Sequence, residues 1–270
     1  MVRTPLLLRY VLRTVVVGYL FLLVAWPVSL VVRNTFADGF DAISYALSDP
    51  NVIHALQLTA ICTVVSVLIN TVFGVTISLL IVRNDFPGKR LLTVLLDVPM
   101  SVSPVVVGLA LLLVYNPDDG WLGATVADWG VQVVFSTPGI VLATVFVALP
   151  LVIREIIPTL QEVGDEQEWA ARSLGANAVQ TFRLITLPTI KWAVIYGVVL
   201  ALARSVGEYG AVKIVSGNII GSTQTATLVV EERYQNFDQP TAYAVAFMLA
   251  MAAVICIVIV AILRPKTHES

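Results

Sequence analysis

Three charged residues interrupt an otherwise apolar run: Arg204, Glu208 and Lys213 in ARSVGEYGAVKIVSG. Arg204 and Glu208 are four apart, so on a helix they are neighbours that can pair. A charge in a membrane-crossing helix costs at least about 2.5 kcal/mol, and such residues therefore face a partner or a polar cavity. Two uses fit the pair: a structural ion pair across a subunit interface, or an arginine that attracts or gates an anion. A second polar cluster, Asp97-Val-Pro-Met-Ser-Val-Ser-Pro104, sits at what reads as a helix start. Its prolines would break or kink that helix. Free N–H groups at a helix N-terminus favour anions, and a hydroxyl donates without carrying charge. Ser101 and Ser103 thus either line part of an anion path or serve helix packing, for which Ser is also favoured.

The remaining polar residues suggest no bond-making chemistry. With only His54 and His268 present, neither has a second histidine to share a metal, and no nucleophile–base arrangement emerges. Cys62 and Cys256 lie in apolar runs and read as small hydrophobes. The phosphate-binding pattern G-x-x-x-x-G-K-[ST] does not occur, its nearest fragment being Gly88-Lys89. If ATP drives this protein, a separate subunit binds the ATP and its Mg.

The elements that must hold these residues are membrane helices. Of 270 residues 58% are hydrophobic and 13% charged, about half the charged share of a soluble domain. Six apolar segments, near 11–32, 54–82, 91–115, 138–158, 190–213 and 241–263, approach or exceed the roughly 20 residues that a spanning helix needs. This predicts an all-α membrane protein of about six transmembrane helices, the first of them a retained span, in one domain over 1–270. A net charge of −2 gives no reason to expect nucleic acid as a partner.

Basic residues orient the bundle. Arg3, Arg9, Arg13, Arg83, Lys89, Arg90, Arg154, Arg172, Arg183, Lys191, Arg264 and Lys266 fall on one side of six spans, which the positive-inside rule makes cytoplasmic, with both termini. The opposite loops carry Asp38, Asp41, Asp49, Asp118, Asp119 and Asp128, with Arg33 and Arg233 as exceptions.

The most informative polar insert is EWAARSLGANAVQTFRLITLP, Glu168 to Pro188, within a loop over 161–189 that the orientation places in the cytoplasm. Ala171, Leu174, Gly175 and Ala178 fall at i, i+3, i+4 and i+7, predicting a small-residue stripe on one short helix that admits close approach by another protein. Leu187-Pro188 is expected to force a new backbone direction.

The pattern A-A-x-x-x-G, nine residues, I-x-L-P resembles the EAA loop of ATP-binding-cassette importer permeases. Ala170, Ala171, Gly175, Ile185, Leu187 and Pro188 match it, while Trp169 holds the usual acidic position and Glu168 lies one residue earlier. The resemblance extends over nearly the whole chain, through segments 86–113, 149–160, 185–217 and 225–254, and is to the sulfate/thiosulfate importer permeases, W-type. It implies the type I importer permease (MetI-like) fold and a loop helix that docks on an ATPase. The implied partners are a T-type permease, two ATP-binding cassette subunits and an extracytoplasmic sulfate-binding protein, in a plasma membrane whose lipid surrounds the spans. Alternating access would carry the anion inward. The motif R-x-x-G-E-[FY]-G-A is shared with molybdate/tungstate permeases, which remain the alternative. A secondary anion transporter is a further one, although no inverted repeat is apparent.

Overall fold

The computed structural model describes residues 6–37 and 39–263. Arg3, Arg264, Lys266, His268 and Asp38 lie outside them. The described chain is helical, with the elements α1 (Leu6–Leu20), α2 (Trp26–Thr35), α3 (Asp41–Ala46), α4 (Pro50–Arg83), α5 (Lys89–Ser101), α6 (Pro104–Tyr115) and α7 (Gly123–Asp128). There follow α8 (Thr137–Val163), α9 (Glu166–Ser173), α10 (Ala178–Thr181), α11 (Leu187–Val206), α12 (Gly210–Ser216), α13 (Ala226–Gln235) and α14 (Gln239–Leu263). Two π-helical turns, Phe21–Ala25 and Phe182–Thr186, join α1 to α2 and α10 to α11. Among the described residues, five helical stretches are long and apolar enough to span a membrane: Leu8–Thr35, Pro50–Arg83, Thr137–Val163, Ala178–Val206 and Gln239–Ile259. In lipid, helices are the natural solution for a single chain segment, because they satisfy the backbone internally.

The third and fifth expected spans need correction. α5 and α6 meet at 113°, so the segment over 91–115 is a broken pair. Pro99 lies inside α5 and Pro104 opens α6, so the proline-serine cluster does stand at a helix start, that of α6, but in mid-segment. The fifth span ends at Val206, not 213: Gly207 stops α11, and Lys213 belongs to the separate helix α12.

α4, α8 and α11 form the core. α4 has Asp49 as its N-cap, accepting from Asn51 N at 2.9 Å, and Pro50 in its first turn. Its 34 residues rise roughly 51 Å at 1.5 Å per residue, well beyond a hydrocarbon layer of about 30 Å. Val152 of α8 is gripped on two sides by glycines: a Cβ on Gly74 would lie 2.7 Å from its Cγ1, and one on Gly197 would lie 3.0 Å from its Cα. Such small-residue approach is how helices associate where lipid is as apolar as they are. Val67, Ala148, Val152, Ile156, Leu160, Ile190 and Ala201 complete this core. By contrast, none of the apolar window of Leu8–Thr35 is buried, leaving that span to lipid or another protein.

Candidate functional site

Two arrangements emerge, one at the end of the bundle bearing residues 164–186 and one along its polar seam. At the first, α8 ends at Gly164, whose φ of +71° favours glycine. Glu168, on α9, turns inward and is 8% exposed. Arg83, the last residue of α4, donates from Nε to its Oε2 at 3.2 Å and from Nη2 to its Oε1 at 3.3 Å. The same guanidinium donates to the carbonyls of Leu160 at 3.2 Å and Gly164 at 2.6 Å, while Thr186 Oγ1 donates to Glu168 Oε1 at 2.9 Å. One carboxylate thereby ties α4, the end of α8 and the π-helical turn before α11 to α9. Charge-assisted bonds of this kind are roughly twice as strong as neutral ones.

With Glu168 turned inward, the outer surface of the loop is apolar and aromatic. Trp169 is 61% exposed, held by Nε1 donating to Asp165 Oδ2 at 2.9 Å and covered by the Arg172 guanidinium 5.8 Å from its ring. Leu174 is 89% exposed, the tip of the segment. Ala170 is exposed and Ala171 half-buried beside it. The stripe from Ala171 to Ala178 is not one helix. α9 stops at Ser173, Gly175 takes φ +91°, and Asn177 starts α10 with a capping box to Gln180 at 2.9 Å in both directions. Glycine wins here because the αL position is costly for other residues. Nor does Leu187-Pro188 turn the chain. Residues 178–206 run as one span, since Pro188 falls in the first turn of α11 behind the π-helical turn, where its missing N–H is absorbed. Ile185 is half-buried against that turn, with Leu187 and Pro188 exposed.

The seam begins at the broken pair. Val102 and Ser103 are extended between α5 and α6. Ser101 Oγ donates to the Asp97 carbonyl at 3.4 Å, and both serines are exposed. A Cβ on Gly210 would lie 3.1 Å from Pro104 Cβ, so the start of α12 touches the start of α6. Next to that contact Glu208 is 4% exposed. Its Oε2 lies 2.5 Å from Arg204 Nη1, and its Oε1 accepts from Ala211 N at 3.1 Å, capping α12. Its carbonyl accepts from Thr227 Oγ1 at 2.9 Å. The Arg204–Glu208 pair forms within this chain, while the Arg204 side chain stays 38% exposed. The structure thus brings the starts of α6 and α12 together through Pro104 and Gly210, with Ser103 adjacent in sequence to the one and Glu208, paired with Arg204, two residues before the other.

Known proteins resemble this chain throughout its length. A family model described as "Binding-protein-dependent transport system inner membrane component" matches residues 70–269. The chain belongs to that family of transport permeases. The permease is 44% identical over 259 residues, 96% of this chain and 94% of the relative, to "Sulfate transport system permease protein CysW" of Synechocystis sp.. It is 40% identical to a protein of the same name in Escherichia coli K12, covering 88% of this chain and 81% of that one. "Sulfate transport system permease protein CysT" of Salmonella typhimurium is 33% identical over 88% of this chain and 85% of its own. Among solved structures, a bacterial ABC transporter involved in the import of alginate matches with a TM-score of 0.78 at 15% identity, covering 95% and 94% of the two chains. That likeness carries the fold: this permease has the all-α importer-permease architecture expected from its sequence.

Sequence reasoning missed several partners in this permease. Arg83 was visible only as a basic residue closing an apolar run, and Glu168 lies 85 residues away. Asp97 and Arg154, 57 residues apart, pair at 2.8 Å. The two exceptions to the charge asymmetry include Arg233, which pairs with Asp49 and, at 3.3 Å, with Asp238. Lys213 pairs with Glu231 and donates to Tyr209 Oη at 2.8 Å.

Proposed function

We infer that this chain is the W-type transmembrane subunit of an ATP-driven sulfate/thiosulfate importer. The observation that carries the reading is near-full-length identity of 44% to a protein named as a sulfate permease. The related CysT-named proteins support a second, T-type permease as its partner in a heterodimer. A solved bacterial alginate ABC transporter in complex with an alginate pentasaccharide-bound periplasmic protein supports an extracytoplasmic binding protein above the pair. Both termini and residues 161–189 lie in the cytoplasm of the plasma membrane, following the basic residues.

In this reading Trp169, Ala170, Ala171, Leu174 and Gly175 form the surface on which one of two ATPase subunits docks, with ATP and Mg held there and none by this chain. Glu168 holds that surface from behind. Ile185, Leu187 and Pro188 carry the movement into α11. The anion passes the junction of Ser101, Ser103 and Arg204. There α6 offers the free N–H groups of its first turn beyond Pro104, and Glu208 fixes the arginine. Alternating access requires the energy of ATP. An inside-negative potential of 100 mV opposes each negative charge by about 2.3 kcal/mol, so a dianion meets about twice that before any gradient.

The test is reconstitution of the co-purified complex in liposomes with the binding protein. ATP-dependent accumulation of sulfate that thiosulfate competes away is expected. Accumulation blocked by molybdate but indifferent to sulfate would assign the complex to the other oxyanions, and uptake that an ionophore abolishes at constant ATP would make it a secondary transporter.

A further inference from the structure

The Asp97–Arg154 pair differs from the other arginine–carboxylate pairs of the spanning helices. Arg83 is held by two carbonyls as well as by Glu168, with side chains 16% and 11% exposed. Arg204 faces a carboxylate that is 3% exposed and committed to capping α12. Asp97 and Arg154 remain 52% and 53% exposed. Their contact is also the less complete one. Arg154 Nη2 at 2.8 Å and Nε at 3.3 Å both bond to the single oxygen Oδ1, whereas the strong geometry for guanidinium is a two-oxygen fork.

The place of the pair matters as much as its geometry. Arg154 lies nine residues before the end of α8 at Val163, roughly 14 Å of helix rise. Asp97 sits on the turn of α5 that leads through Ser101 into the break. A half-open ion pair within an apolar helix is strongly disfavoured against hydrocarbon. Ser101, whose hydroxyl donates to the Asp97 carbonyl at 3.4 Å, joins the pair to the break between α5 and α6, and this placement argues that the pair faces the water-filled anion path.

We propose that Arg154 is a second anion-binding residue, nearer the cytoplasm than Arg204, and that Asp97 latches it when no anion is present. A tetrahedral oxyanion offers two oxygens to the Nε and Nη2 edge that Asp97 meets with one, so the dianion displaces the carboxylate. Once the anion has left, Asp97 recaptures the guanidinium and repels re-entry. The inference rests on the importer reading and adds the residue that accepts the anion on its way out.

Arg154→Cys and Asp97→Cys, each made with Cys62→Ala and Cys256→Ala, test it in the reconstituted complex through a small charged thiol reagent applied with and without ATP. Modification at both positions is expected for an aqueous site, slowed about fivefold or more by sulfate in Asp97→Cys, which keeps the Arg154 guanidinium. Arg154→Gln is expected to lower sulfate uptake about tenfold or more, because a charged hydrogen bond to the anion is lost. Asp97→Asn keeps the guanidinium and loses only the latch, and is expected to lower uptake at least about threefold less than Arg154→Gln does. Thiols unreactive in both conditions, or equal losses in Arg154→Gln and Asp97→Asn that the exchanged pair Arg154→Asp with Asp97→Arg restores, overturn the site and make the pair a strut; sulfate import itself then stands. Protection by molybdate but not sulfate keeps the site and overturns the substrate instead. Should Arg154→Gln fail to co-purify with its partners, the two cysteine variants decide alone.

Discussion

Removing the Glu168 carboxylate is expected to loosen α9, the surface proposed to dock the ATPase, before it affects anything else. Breaking a buried ion pair by deleting one partner costs about 3–5 kcal/mol. The two side chains keep 16% and 11% exposure, so the lower end, about 3 kcal/mol, applies to Glu168→Ala. That corresponds to about a hundredfold in the opening equilibrium of α9. Hydrogen exchange of the amides of 164–186 in the purified complex reads it directly, as a protection loss confined to that segment. Arg83→Met and Glu168→Met should each show the loss, and the double variant should show less than the sum. An apolar pair at this position leaves no charge without a partner, giving a coupling energy of about 2 kcal/mol or more. Unchanged protection in Glu168→Ala, or strict additivity in the double variant, would refute the idea that this carboxylate fastens the segment.

Gly175→Trp should abolish ATP-dependent accumulation and weaken ATPase co-purification: a Cβ there meets nothing within 4 Å in the chain itself, so its bulk acts on a docked partner. Gly175→Ala serves as the control for backbone strain at φ +91°, which amounts to about 1–2 kcal/mol. Arg204→Gln should lower the complex's Tm, because Glu208 is 4% exposed and loses its cation. Adding Glu208→Gln should recover Tm but leave uptake low, whereas recovery of both would make the pair purely structural. Ser101→Ala with Ser103→Ala should reduce uptake at normal protein levels, and unchanged uptake would remove those hydroxyls from the path. Gly74→Leu, forced against Val152 where even a Cβ comes within 2.7 Å, should destabilise the bundle by about 1–3 kcal/mol in denaturation assays.

The spans were legible because a bilayer imposes length and apolarity on the sequence itself. The breaks were legible only in kind. Pro99, Ser101, Ser103 and Pro104 announce an irregularity, but whether it opens a helix or divides one depends on how α6 packs against α12 through Gly108, where a Cβ would lie 2.7 Å from the Ala211 carbonyl. Gly207 ends α11 early for a similar reason, since the Glu208 side chain caps a new helix instead of continuing the old one. At 168–188 the loop pattern could be read from its spacing, but the orientation of its residues could not. Gly175 looked like part of a stripe because helical periodicity ignores φ, and the inward turn of Glu168 gave no signal because Arg83 is remote in sequence. Charge pairs such as Asp97–Arg154 carry no local signal at all, and they are where the structure contributes most.

The account rests on this chain conducting sulfate under the control of an ATPase bound at residues 164–186. The most direct measurement is uptake of radiolabelled sulfate by proteoliposomes holding the complete complex, with parent chain or Gly175→Trp, at fixed ATP and binding protein. Concentrative, ATP-dependent uptake by the parent that collapses in the variant is the predicted result. Equal uptake by both, or none by the parent while another oxyanion accumulates, would contradict it.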